Sequence, residues 1–414
     1  MNAPIIIVGA GQAGLQVADS LRQDGFDGRI LIFGDEPHIP YNRPPLSKKW
    51  LLAPQELSGI TIRGPEYLQR KQIELHTNRR VQAIDCQTQT LQLEDGERLT
   101  YRGLALCTGA QPRRLSLPGA TLGGVLNLKT VEDAVALSAA LDLCEQKNRP
   151  LVVIGGGFIG LEVAATARKR GVEVTVLEGQ GKLMSRVVAP LVSDAARALH
   201  ESHGVQLLFN VKITALEGER DTVDSVHLED GRRIPAGCVL VGIGVEPNMQ
   251  LAQSAGLECE RGIVVDDCSR ASAAHVVAAG DCTVRRRADG TLIRLESVQN
   301  AVEQGKAAAA ALLDREQPFT ATPWFWSDQF EMKLQMVGLS HGYDQVATRG
   351  DIAGRSFTAF YYRDQRLIAA DSLNRPSEHM LSRKLLDRGI SPTPEQVADP
   401  SCNLQALLAV GNPG

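Results

Sequence analysis

The sequence runs to 414 residues with a formal net charge of −4. It is too long for one hydrophobic core and divides by ordinary domain sizes into two to four. Neither the charge balance nor any apolar run marks a nucleic-acid binder, a membrane-surface binder or a bilayer-spanning chain. The eight cysteines, at 86, 107, 144, 238, 259, 268, 282 and 402, show no C-x-x-C spacing. That excludes a local redox dithiol or clustered metal site and leaves scattered buried thiols as the reading.

The chain opens almost directly on an apolar strand, Ile5-Ile6-Ile7-Val8. No room is left for a basic segment, an apolar segment and a cleavage site, so the expectation is a cytoplasmic protein with reduced thiols. The strand leads into an internal repeat. Ile5–Ala18 reads IIIVGAGQAGLQVA and Leu151–Ala164 reads LVVIGGGFIGLEVA. Each copy is a strand, then G-x-G-x-x-G, then a helix start. A second strand follows each, at Arg29–Phe33 and Glu173–Leu177, and then an acid, Asp35 or Glu178. Two βαβ units of this kind predict parallel sheets that bind dinucleotides.

The glycines have separate tasks. Gly9 and Gly155 allow the tight turn, Gly11 and Gly157 let the backbone approach a pyrophosphate, and Gly14 and Gly160 let helix pack on strand. The helix start supplies free N–H groups and the positive dipole end to the phosphates. Asp35 and Glu178 stand where a ribose needs an acceptor. Glu178 also repels a 2′-phosphate: a unit-charge pair at 4 Å costs about 4 kcal/mol at intermediate dielectric. Gly179 and Gln180 follow it, with no arginine to hold a phosphate, which predicts NADH over NADPH.

Between and after the repeats come Tyr41–Lys48 (YNRPPLSK), where Ser47 is placed to cap a helix, and apolar strands at Leu104–Ala110, Val239–Gly244 and His275–Cys282. An Ala-rich helix is expected over Ala301–Leu313. After Pro318 the pattern changes: Trp324, Phe325 and Trp326 cluster, strands follow at Glu331–Leu339, Ser356–Tyr362 and Leu367–Asp371, and a helix at Ser377–Arg388. Residues 320–414 read as a separate α+β domain.

The motifs GAGQAG, YNRPPLSK, TGAQPR, GGGFIGLEVA, AAGDC and PWFWSDQF, in that order over nearly the whole chain, resemble the NADH-dependent ferredoxin reductases of bacterial oxygenase systems. The resemblance implies an α/β fold with two Rossmann-like, glutathione-reductase-like domains and a C-terminal α+β domain. It implies a discontinuous FAD-binding domain over 1–111 and 243–319, an NAD-binding domain over 112–242, and the C-terminal domain over 320–414. FAD would be held by Gly9, Gly11, Ala13, Gly14, Asp35, Arg43, Lys48, Val81, Lys129, Asp281, Val298 and Trp326. Lys129 stands where the family often has arginine. NADH would be held by Gly155, Gly157, Ile159, Gly160, Glu162, Glu178 and Gly244.

The same resemblance sets Glu162, which aligns with Gln16 of the first repeat, near the nicotinamide and facing Lys48 across the flavin edge, the two supporting hydride transfer. The acceptor would be a [2Fe–2S] ferredoxin serving a cytochrome P450 or Rieske-type oxygenase. It would dock on Lys306 and Lys333, with Arg285-Arg286-Arg287 as a third basic cluster; the protein would be a monomer or a weak dimer. The histidines read as structural or surface residues. The rivals are a rubredoxin reductase and an apoptosis-inducing-factor-like NADH-binding flavoprotein. A flavin disulfide reductase needs a redox disulfide, and a cysteine-based oxidase needs a Cys near position 42; the sequence has neither.

Overall fold

A computed structural model describes residues 3–53, 56–287 and 289–410. The chain forms two compact units, each assembled from three stretches. The first is Met1–Asn42, Gln55–Gln111 and Val245–Ala321; the second is Arg43–Pro54, Pro112–Gly244 and Thr322–Gly414.

The first unit is built on a parallel sheet in the order Val276–Ala278, Gly103–Leu106, Ile5–Val8, Ile30–Phe33, Ile73–His76. Its central strands are buried at every position, as unbroken apolar runs covered on both faces must be. Helix Gln12–Gln23 lies beside the Ala-rich helix Val298–Leu312. The approach is close: a Cβ on Gly305 would meet the Gln16 side chain at 2.8 Å. An antiparallel meander, Val81–Asp85, Thr90–Leu93 and Arg98–Thr100, follows the first βαβ.

The second unit repeats the plan. Its parallel sheet runs Gln206–Leu208, Val174–Leu177, Leu151–Ile154, Cys238–Val241, Val125–Leu126. In both sheets the order reverses beside the first strand, which opens a crevice at the carboxyl ends of the strands, where dinucleotides bind. Helix Val131–Lys147 is started by a capping box between Thr130 and Asp133. The unit also holds an antiparallel sheet in the order Trp324–Gln329, Met332–Gly338, Arg366–Leu373, Ser356–Arg363, Gln345–Asp351, with helix Pro376–Asp387 packed on it.

Two units stand beside the three expected domains: the first spans nearly the expected discontinuous stretches, and the second takes in the other two domains together with Arg43–Pro54. Residues 112–244 and 322–414 group together because they share one core: Leu161, Leu183, Met184 and Val192 pack with Met332, Leu334, Phe357 and Tyr361. Arg43–Pro54 groups with the same unit, since Leu51 is buried among Leu137, Val163 and Val174. Ser47 does not cap a helix. It closes a short 3-10 turn over Pro44–Ser47, Lys48 takes the position before helix Lys49–Leu52, and the Ser47 hydroxyl is used elsewhere.

Candidate active site

The two glycine-rich turns are the same object built twice. A Cβ on Gly9 (φ +114°) would lie 2.1 Å from the Cys107 carbonyl oxygen, and one on Gly155 (φ +106°) 2.4 Å from that of Gly242. A Cβ on Gly14 would strike the Gly9 carbonyl oxygen at 2.0 Å, and one on Gly160 that of Gly155 at 2.4 Å. Gly11 and Gly157, each capping its helix, have open space within 4 Å of that position. The tight turns are thus obligatory, and the open side is where a side chain would fill the room a pyrophosphate needs. Both turns fit a dinucleotide.

The strand register refines the acids. Ile154 pairs with Leu177 in the second unit as Val8 pairs with Phe33 in the first, so Glu178 corresponds to Gly34 and Asp35 stands one residue further on. Asp35 is exposed. Glu178 is committed to its own turn: Oε2 accepts from the Gly156 N–H at 2.7 Å and Oε1 from the Gln180 N–H at 2.8 Å. Each oxygen keeps a lone pair for a ribose hydroxyl.

Within the second unit, a buried cluster gathers on helix Phe158–Lys169. Glu162 is 2% exposed. Its Oε2 accepts from Ser47 Oγ at 2.5 Å and from Lys48 Nζ at 2.6 Å; its Oε1 accepts from Ser327 Oγ at 2.7 Å and the Asp328 N–H at 3.4 Å. Thr166, one turn later, donates to the Ser47 carbonyl at 2.9 Å and fixes that segment. The sequence reading sets Glu162 and Lys48 on either side of a flavin edge; they form a direct ion pair. Arg43 and Lys129 also meet, the guanidinium donating to the Lys129 carbonyl at 2.7 Å.

Strand Trp324–Gln329 sorts its residues by alternation. Phe325, Ser327 and Gln329 face inward: Phe325 packs against Phe158 with ring centroids 4.9 Å apart and the rings tilted by 53°, Ser327 reaches Glu162, and Gln329 reaches His200 at 3.0 Å. Trp326 points the other way, beside Trp324 at 5.5 Å. The sequence reading singles out Ser47 only as a helix cap and does not single out Ser327, Gln329 or His200, although PWFWSDQF and YNRPPLSK contain three of the four. The period-2 pattern of the first motif was the available signal.

The remaining expected FAD residues divide between the units. Gly9, Gly11, Ala13, Gly14, Asp35, Val81, Asp281 and Val298 belong to the first, and Arg43, Lys48, Lys129 and Trp326 to the second. Ala13 lies against Gly280, where a Cβ would come within 3.1 Å of its methyl. All seven nicotinamide-side residues belong to the second. Ile159 is 44% exposed at the helix start, an unusual place for a large apolar side chain. Gly244 (φ +102°) accepts from the Arg113 N–H. Of the basic residues, Lys333 is exposed and Lys306 is tied to Glu303 at 2.8 Å. In the arginine cluster, Arg285 is buried on Phe319 and Arg286 is paired with Glu258.

Two dinucleotide turns on one chain, followed by an antiparallel sheet, define a two-nucleotide flavoprotein reductase. Residues 3–305 match the pyridine nucleotide-disulphide oxidoreductase family and residues 324–408 the reductase C-terminal family, and the chain belongs to the former. It is therefore an FAD-dependent oxidoreductase that uses a nicotinamide dinucleotide. It is 40% identical to rhodocoxin reductase of Rhodococcus erythropolis over 98% of this chain and 94% of that one. A solved ferredoxin reductase from Rhodopseudomonas palustris matches at 42% identity and a TM-score of 0.94, covering 98% of this chain and 99% of that one. A solved covalent complex of putidaredoxin reductase with putidaredoxin matches at 37% identity and a TM-score of 0.94, covering both chains fully. The α/β fold with two dinucleotide-binding domains and a C-terminal α+β domain is as the sequence predicts.

Proposed function

We propose that the chain takes electrons from NADH onto bound FAD and delivers them singly to a [2Fe–2S] ferredoxin, which feeds a cytochrome P450 or Rieske-type oxygenase. The observation that carries this is the pair of matched dinucleotide turns with an acid, Glu178, directly after the second strand of the second and bonded to its turn. Relatives named for ferredoxin-type carriers supply the acceptor.

FAD would be held by the first turn, Gly9, Gly11, Ala13 and Gly14, with Asp35, Val81, Asp281 and Val298, and by Arg43, Lys48, Lys129 and Trp326. It supplies the conversion of a two-electron donor into one-electron traffic. The chain's own residues do the rest. Gly155, Gly157 and Gly160 seat the pyrophosphate of NADH, Glu178 accepts from its ribose hydroxyls, and Ile159 and Gly244 border it. Glu162 and Lys48 fix each other's positions at the reacting end. No residue is asked to act as general acid or base, because hydride transfer moves no free proton. Lys333 and Lys306 attract an acidic carrier. The reading makes the protein cytoplasmic; no helix among the described residues is long and apolar enough to cross a membrane.

The test is direct. Purified protein should be yellow and bleach anaerobically with NADH, and it should reduce cytochrome c quickly only when a ferredoxin is added. Rubredoxin reductases stand among the relatives as well, so rubredoxin is the second acceptor to try. Bleaching without transfer to either carrier would leave an NADH-binding flavoprotein and remove the reductase.

A further inference from the structure

The buried polar chain behind Glu162 has a direction that its chemistry dictates. Glu162 is salt-bridged to Lys48 as a carboxylate, which only accepts. Ser327 Oγ, 2.7 Å away, must therefore donate to it. With its one proton spent, Ser327 must accept from Gln329, 3.1 Å away, which then presents its amide NH2. The Gln329 carbonyl oxygen is left to face His200 Nε2 at 3.0 Å, so Nε2 carries the proton. His200 Nδ1 is then a bare acceptor, and it has no partner among the described residues. An orphan acceptor is more tolerable than an orphan donor. Every proton in the chain points toward Glu162.

The setting is otherwise apolar. Ser327, Gln329 and His200 are 0% exposed. Met184, Leu199, Met332 and Leu334 pack around this region, and the Phe330 ring stands edge-on to the imidazole at 5.1 Å. Burial pushes His200 down to about 4, so the ring stays neutral in ordinary buffers. Three uncharged polar side chains in such a core cost stability unless each is bonded. Gln329 closes the chain with one side chain because it can accept and donate at once.

We propose that Ser327, Gln329 and His200 are positioning residues: a one-way hydrogen-bonded chain that fixes the Glu162 carboxylate, and through it Lys48, for reduction of the flavin by NADH. It rests on the reductase reading above. Without the Ser327 hydroxyl, Oε1 of Glu162 keeps only the 3.4 Å contact to the Asp328 N–H. The carboxylate is then free to turn on its side-chain axis, and Lys48 turns with it.

The experiment is anaerobic single-turnover reduction of the FAD-loaded full chain by NADH, for the parent, Ser327→Ala and Ser327→Thr. The expected result is flavin reduction about tenfold slower in Ser327→Ala, near-parental in Ser327→Thr, with NADH affinity changed much less than the rate. A second readout needs no turnover. Nitrogen-15 NMR of the His200 ring should show the neutral Nε2–H tautomer in the parent near about pH 7, and its Nε2 signal should move in Gln329→Met. If Ser327→Ala loses its flavin, Gln329→Met carries the kinetic measurement, with a severalfold slowing expected. A purely structural chain would lower the melting temperature and leave the reduction rate alone; that outcome, or an Nδ1–H tautomer, overturns the proposal while the reductase reading stands. A parent that NADH does not bleach overturns the reading first and the proposal with it.

Discussion

Gln16 and Glu162 occupy the same position in two βαβ units of matching register, and their surroundings are opposite. Gln16 bonds locally to Ser20 at 3.1 Å, whereas Glu162 receives donors from Ser47, Lys48, Ser327 and Asp328. The turn needs neither, since both copies form it. An amide at 162 would put an NH2 against donors on one side or the other. Glu162→Gln should therefore slow flavin reduction by at least about tenfold and cost about 1–3 kcal/mol of stability, seen by stopped flow and thermal melting. Gln16→Ala should leave NADH reduction nearly unchanged.

Glu178, proposed above for the ribose of NADH, holds the Gly156 and Gln180 N–H groups. The parent should prefer NADH over NADPH by about a hundredfold or more in kcat/KM. Glu178→Ala should cut that preference to about tenfold or less, by weakening NADH and admitting the 2′-phosphate. Equal kcat/KM for the two nucleotides in the parent would remove Glu178 from the site.

The two lysines proposed for docking, Lys306 and Lys333, should not weigh equally. Glu303 already offsets Lys306, while Lys333 is exposed on the face that alternation shares with Gln335. Lys333→Glu should raise KM for ferredoxin about fivefold at low salt, Lys306→Glu less, and ferricyanide reduction should hardly change. The difference should fade as salt shortens the screening length toward about 8 Å. Parental KM values in both variants across the salt range would displace the docking face.

In the C-terminal sheet, Asp371 is buried and receives the Tyr361 hydroxyl, which in turn accepts from the Ala189 N–H at 2.8 Å. Burial pushes Asp371 up to about 7. An unfolded aspartate titrates near about 4, so between these values the folded state holds a proton that the unfolded state has lost. This residue's contribution therefore falls as pH rises from about 4 to about 7 and is flat above. Asp371→Asn should remove that slope and stabilise the protein at about pH 8 by a few kcal/mol. A melting-temperature profile against pH for both proteins decides it.

What the sequence made legible follows from the range of the forces involved. The glycine turns are local steric necessities, so Gly9, Gly14, Gly155 and Gly160 could be assigned tasks from spacing alone. Strands such as Val276–Ala278 and Arg366–Leu373 showed through their apolar runs. The partners of Glu162 did not, because Ser47 and Ser327 lie 115 and 165 residues away. Ser47 also follows Pro-Pro, and that local signal suggested a helix cap. Cys144 and Cys238 have no telling spacing, yet their Sγ atoms lie 3.4 Å apart at the junction of a helix end and a strand start. The histidines read as structural or surface residues; His200 is buried at the end of the polar chain.

The interleaving of the two units also governs the order in which the protein can be made. Three stretches of one alternate with three of the other. On the ribosome, the first unit lacks its last segment until Ala321 has emerged, and the second until the C-terminal sheet has followed. Through that interval Glu162 already sits on its helix without Ser327, and Leu161 and Val192 without Met332 and Leu334. For the 165 residues between Glu162 and Ser327 the nascent chain thus carries an unfinished core and an acid that has Ser47 and Lys48 but still lacks its Ser327 donor. Folding of the second unit becomes cooperative only when its final stretch arrives.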